Sequence, residues 1–115
     1  MKYTINDQEV SANEYYNSKQ DGIHKSYYDN GKPKYEVPSV NGQIHGKERY
    51  WYDNGNLEQE IPYVNGQEHG IARWYHGNGK LKHEIPYVNG EQRDDLLLPK
   101  NRLAYLAIFG QKQPV

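Results

Sequence analysis

The chain has no cysteine, and only one methionine, one phenylalanine and two tryptophans. Without cysteine there is no disulfide framework and no thiolate chemistry, a composition that suits a reducing compartment such as the cytoplasm. An excess of one charge is also absent. Fourteen Lys and Arg stand against 15 Asp and Glu, for a net charge of -1, so the basic footprint of a nucleic-acid binder is missing. Long apolar runs are lacking as well. The opening MKYTINDQEV carries no apolar core of a secretory leader, and none is expected. The richest stretch, Leu96 to Phe109, is interrupted by Pro99, Lys100, Asn101 and Arg102, and it falls short of the ~20 residues of a spanning helix. With 35% hydrophobic residues in 115, a thick aliphatic core is not available. Tyrosine is plentiful instead: 12 copies bring the aromatic content to 13%, too much for a disordered chain. One thin folded domain is expected.

The chain repeats itself. An offset of 24 residues aligns Gly22, Gly46 and Gly70, then Pro38, Pro62 and Pro86, without a gap. The same offset aligns Asn30-Gly31, Asn54-Gly55 and Asn78-Gly79, and likewise Asn41-Gly42, Asn65-Gly66 and Asn89-Gly90. Three units follow, 22–45, 46–69 and 70–93, preceded by a decayed half-unit over 1–21 and followed by a divergent segment over 94–115. Asn-Gly between runs of Tyr, Trp, Ile and Val is a strong hairpin signal, because both residues accept the positive φ of a type I′ turn. All six pairs are therefore expected to be two-residue turns, and the fold all-β: a single-layer twisted antiparallel meander of stacked hairpins with a C-terminal apolar cap.

The register has a consequence. Two-residue turns place Arg49 opposite Glu60, Lys25 opposite Glu36 and Arg73 opposite Glu84, an opposite-charge pair in every unit. Alternation then sorts two faces. Tyr50, Tyr52, Leu57, Ile61, Tyr63, Trp74, Leu81, Ile85 and Tyr87 fall on the face expected to be apolar. The ion pairs, Val64 and the column Tyr27, Trp51 and Tyr75 fall on the other, with Lys34 and Lys82 near Tyr27 and Tyr75 for cation–π contact. The repeated proline implies a bulge or a strand end after Glu-Ile or Glu-Val, and His45-Gly46 and His69-Gly70 mark a second bend.

The segments GKERYWYDNGNLEQEIPYVNGQEHG (Gly46 to Gly70) and GIARWYHGNGKLKHEIPYVNG (Gly70 to Gly90) resemble the MORN-repeat variant of bacterial proteins, which also occurs in the YwqK-like group of antitoxin-labelled proteins. The likeness covers about two-thirds of the chain, and the first unit departs from it, with Pro33 where leucine is usual. The resemblance implies a single-layer sheet of stacked hairpins that contacts proteins or sometimes lipid, with no catalytic residues; the setting expected is the cytoplasm of a bacterium or a phage-infected cell.

No site chemistry competes with that reading. His45 and His69 share one repeat column but stand roughly 9.5 Å apart at standard strand spacing, too far to converge on a metal. His24, His76 and His83 form no ligand-spaced motif, and no metal or cofactor is expected. Glu36, Glu60 and Glu84 face cations, and Ser11, Ser18, Ser26 and Ser39 sit in no nucleophile elbow, so no enzyme activity is expected. The aromatic column is interleaved with Glu58, Glu60 and Glu84, which would repel a nucleic-acid strand. The expected function is a non-enzymatic protein contact made by Tyr50, Tyr52, Tyr63 and Trp74 on the sheet, by Leu103, Leu106, Ile108 and Phe109 in the tail, or by both. Two alternatives remain open: an antitoxin-like or phage-type inhibitor that occludes an enzyme, and a homo-oligomeric structural component, with a homodimer formed through the C-terminal segment.

Overall fold

Two kinds of Asn-Gly corner build the sheet. At Asn41-Gly42, Asn65-Gly66 and Asn89-Gly90 both residues have positive φ, from 49° to 53° for Asn and from 78° to 85° for Gly. These are the two-residue type I′ turns expected, and they set Val40 opposite Gln43 and Val64 opposite Gln67. At Asn30-Gly31, Asn54-Gly55 and Asn78-Gly79 only the glycine has positive φ. There the Gly55 N–H donates to Tyr52 O (3.0 Å) and the Tyr52 N–H donates to Asn56 O (2.9 Å), which closes a three-residue loop. The expectation of a two-residue turn fails at these three corners.

The longer loop moves the register by one residue, and a bulge moves it back. Trp51 pairs with Leu57 while Tyr50 pairs with Gln59, so Glu58 is the extra residue; Lys34 and Lys82 are its counterparts. Beyond the bulge the pairs Arg49–Glu60, Lys25–Glu36 and Arg73–Glu84 stand where the simpler turn had placed them. On the turn side the faces change. Leu57 and Leu81 lie across from Trp51 and Tyr75, on the ion-pair face and not on the one assigned from the sequence. Lys34 Nζ sits 5.7 Å over the Tyr28 ring, and Tyr27 is taken by Lys2 at 5.2 Å, so the expected Lys34–Tyr27 contact is replaced. No Lys82–Tyr75 contact forms among the described residues.

The computed structural model describes residues 1–114. In chain order the elements are β1 (Lys2–Ile5), β2 (Gln8–Val10), α1 (Ala12–Asn17), β3 (Gly22–Tyr27), β4 (Pro33–Val40), β5 (Gln43–Ile44) and β6 (Gly46–Trp51). There follow β7 (Leu57–Val64), β8 (Gln67–Glu68), β9 (Gly70–Tyr75), β10 (Leu81–Val88) and β11 (Glu91–Gln92), then 3-10 turns at Asp94–Leu97 and Pro99–Asn101, and α2 (Arg102–Phe109). All strands join one antiparallel sheet in the order β11-β10-β9-β7-β6-β4-β3-β1-β2, with β5 and β8 as short returns on β4 and β7. The molecule measures 50 × 35 × 17 Å, with a radius of gyration of 16.0 Å, against roughly 13 Å for a compact chain of this length. One layer explains the difference.

The prolines lie inside β4, β7 and β10, and it is the neighbouring strand that breaks. Pro38 O accepts from the His45 N–H (3.2 Å) and Pro62 O from the His69 N–H (3.0 Å), but proline has no N–H to return the bond. The ladder therefore stops at His45, and β6 restarts two residues out of step. The restart falls on glycine for a steric reason. Gly46 and Gly70 have φ of 118° and 126°, and a Cβ on either would stand 2.9 or 2.8 Å from the ring Cγ of Pro38 or Pro62.

Side chains stitch one unit to the next. The Asn30 amide donates to Asp53 O and the Asn54 amide to Gly77 O (2.9 Å each), while their carbonyls accept from Lys32 N and Asn56 N. Tyr28 Oη donates to Trp51 O (2.5 Å) and Tyr52 Oη to Tyr75 O (2.8 Å). At the opposite edge, Nδ1 of His45 and of His69 accepts from the Asn65 and Asn89 N–H groups (3.2 Å each), and the Asp21 carboxylate plays this part for Asn41 and Gly42.

The apolar mass lies at the two ends, on opposite faces. Near the N-terminus, Tyr15 of α1 stacks on Tyr3 (4.9 Å) above His24 and Ser26. At the other end Leu96 and Tyr105, each 1% exposed, close over Ile71, with Val88, Ile108 and Phe109 around them. The tail covers the end of the ion-pair face and leaves the aromatic face open. Ile71 occupies the column that holds Lys47 one unit earlier, and together with Pro86 it makes that end apolar. After β11 the chain leaves the sheet into the 3-10 turns. Among the described residues no helix is long and apolar enough to cross a membrane.

Candidate interaction surface

Strand pairing assigns every ladder position to one of two faces, since partners across a ladder share a side. One face carries Lys25, Glu36, Lys47, Arg49, Glu60, Arg73 and Glu84, and its charges neutralise one another. Arg49 spans two strands, with Nε 2.8 Å from Glu60 and Nη1 3.1 Å from Glu36. Lys25 lies 3.6 Å from Glu36, Lys47 3.7 Å from Glu60, and Arg73 3.3 Å from Glu84. Hydrogen bonds to Glu60 and then Glu36, outweighing partial burial, hold the Arg49 guanidinium pKa above its ordinary value.

The other face is different in kind. It presents Tyr35, Val37, Glu48, Tyr50, Gln59, Ile61, Tyr63, Glu68, Ala72, Trp74, His83, Ile85 and Tyr87. Glu48, 8% exposed, accepts from the Tyr35 hydroxyl at 2.5 Å, and the Tyr35 ring stacks on Tyr50 at 4.6 Å. Burial and then the bond to Glu48 push the Tyr35 hydroxyl pKa far up. Burial, with Glu48 and Glu68 nearby, raises Tyr63 to about 12. Tyr50 is raised by burial and by Glu48, and Tyr87 by burial, Glu68 and Asp94. Beside α1, a groove of 510 Å³ opens on the same face between Lys19, His24, Tyr35, Val37 and Ile44. Such a surface offers apolar ring area, phenolic hydroxyls and negative charge. No cluster of His, Cys, Asp or Glu among the described residues is placed to hold a metal.

The residues singled out in the sequence separate into groups. Tyr50 and Tyr63 lie half-buried in the patch around Glu48, and Trp74 lies farther along the same face, its indole N–H on Gln59 Oε1 (3.0 Å) and its ring 5.0 Å from His83. Tyr52 is spent on its bond to Tyr75 O. Ile108 and Phe109 point into the C-terminal cluster, whereas Leu103 (82% exposed) and Leu106 (46%) point outward from α2. Sequence reasoning missed Glu48, Tyr35 and Glu68. A signal existed for Glu48: its repeat column reads His24, Glu48, Ala72, next to the uniformly basic column Lys25, Arg49, Arg73, and the pairing with Ile61 puts it on the aromatic side.

Compared with known protein families, the chain matches the MORN repeat variant three times, over residues 20–41, 44–65 and 68–89, which together make up more than half of its length. No curated protein and no solved structure matches it.

Proposed function

Because the chain belongs to the MORN repeat variant family, whose repeats are binding modules for proteins or membranes and not enzymes, we propose that it is a protein-binding module acting through its tyrosine-lined face. The observation that carries this reading is the half-buried patch of Tyr35, Tyr50 and Tyr63 around Glu48, continued along the sheet by Trp74. Large aromatic side chains on a stiff support concentrate binding energy at low entropic cost. The sheet supplies the stiffness, since side-chain bonds from each unit to the next leave the face little freedom to bend. An inhibitor or antitoxin would work from the same face by covering a target enzyme, in a cytoplasmic setting that the absence of cysteine suits.

The test is capture of a partner from extracts of the source cells by the purified chain, compared with a Tyr50→Ala/Tyr63→Ala variant of unchanged melting temperature. Loss of the partner with the variant supports the reading. Equal capture by both removes the face from consideration. Exposure of Leu98, Leu103 and Leu106 favours a second reading, self-association through α2. A monomer by light scattering at high concentration rules that out, and a dimer abolished by Leu103→Ser/Leu106→Ser establishes it.

A further inference from the structure

The charges of this sheet are sorted by face. At positions paired in the ladders, every Lys and Arg of the repeats (Lys25, Lys47, Arg49 and Arg73) lies on the ion-pair face. The tyrosine face has no Lys or Arg at such positions; its charged residues there are Glu48 and Glu68, which pair with Ile61 and Tyr63 across the strands. Neither carboxylate enters an ion pair among the described residues, although Glu36, Glu60 and Glu84 all do. Glu48 keeps one oxygen on the Tyr35 hydroxyl and has no second donor among the described residues. Lys19 and Lys34 line the grooves beside α1, Lys34 next to Tyr35 and Tyr50, but neither pairs with Glu48 or Glu68 among the described residues.

Opposite-charge pairing is thus complete on one side of a single layer and missing on the other. A carboxylate ringed by tyrosine faces complements a guanidinium or ammonium group, which gains a charge-assisted contact from the acid and cation–π contact from the rings. We infer that the ligand of the tyrosine face is a basic, extended protein segment that places an Arg or Lys side chain on Glu48 between Tyr50 and Tyr63. The next basic residue along that segment meets Glu68. This inference rests on the proposed contact face and adds the chemistry of the partner.

The test is an NMR titration of the full chain with an end-capped Gly-Arg repeat peptide and, in parallel, its Gly-Gln counterpart. The Arg peptide is expected to shift the amides of Glu48, Tyr50, Ile61, Tyr63 and Glu68, with an affinity that falls as salt is raised. Glu48→Gln keeps an acceptor for Tyr35 and should weaken that binding about tenfold, near the low end for loss of one charge-assisted contact. Glu68→Gln serves as the second variant, and Glu9→Gln, on the opposite face, should change nothing. Equal binding of both peptides at these amides, unaffected by Glu48→Gln, overturns the basic partner and leaves the contact face standing. Shifts confined to residues around Glu36, Glu60 and Glu84 overturn both. No binding of the Arg peptide overturns the basic partner.

Discussion

Gly70→Ala tests the reason the repeat carries both a proline and a glycine. Gly70 has φ of 126°, and an added Cβ would lie 2.8 Å from Pro62 Cγ and 3.2 Å from Pro62 Cβ. The backbone conformation alone costs an L-residue about 1–2 kcal/mol. Carbon atoms prefer separations of about 3.5–4.0 Å, so the proline ring or the β9 backbone must also give way, an overpacking cost of about 1–2 kcal/mol. Together the substitution should destabilise the chain by about 2–4 kcal/mol, or roughly 10–25 °C in melting temperature for a domain of this size. A double-mutant cycle with Pro62→Ala separates the two parts, because removing the ring relieves the clash and leaves the φ strain. Urea denaturation of the four proteins should give a coupling of about 1–2 kcal/mol. Gly55→Ala is the control for φ alone: its nearest neighbour is the flexible Lys32 side chain, at 3.6 Å, and it should cost only about 1–2 kcal/mol. A coupling near zero, or equal losses at Gly55 and Gly70, would refute the proline–glycine argument.

Asn54→Ala should cost about 0.5–1.5 kcal/mol more than Asn78→Ala in urea denaturation, because Asn54 donates to Gly77 O in the next unit and Asn78 has, among the described residues, only its local bond from Lys80 N. Leu96→Ala should cost about 2–5 kcal/mol, since Leu96 is 1% exposed in the C-terminal cluster, while Leu103→Ser at 82% exposure should leave the melting temperature unchanged. Alkaline pH should unfold the chain in a defined window. Tyr15 and Tyr63 are raised from 10.0 to about 12 in the folded state, so above pH 10 the unfolded chain sheds protons that the folded one keeps. Their contribution is full below pH 10 and lost as pH rises towards 12, and tyrosinate absorbance followed against the melting temperature checks the coincidence. Ionisation of all tyrosines at pH 10 without loss of stability would contradict it.

Much of the architecture was legible because it is periodic. Asn-Gly spacing, strand alternation and the recurrence of basic–acidic pairs are local properties multiplied three times, and the register they imply is the register found. The corners at Asn30, Asn54 and Asn78 were misjudged for a physical reason. A three-residue loop followed by a bulge restores the same distant register as a two-residue turn, so the charge pairs could not distinguish them. Only φ and the local pairing do so, and they move Leu57 and Leu81 to the opposite face.

The candidate site was legible in part. Tyr50, Tyr63 and Trp74 follow from alternation, but Glu48 does not stand out in a chain with 15 acidic residues. By itself the sequence determined the repeat, the one-layer sheet and which residues face each other away from the bulged corners, because those follow from turn chemistry and a two-residue period. The tertiary structure decided which face the tail covers, how Glu48 meets Tyr35, and that Tyr52 bonds across to the next unit. Such contacts depend on how strands from different units lie in space, and a repeat read in one dimension carries no record of that.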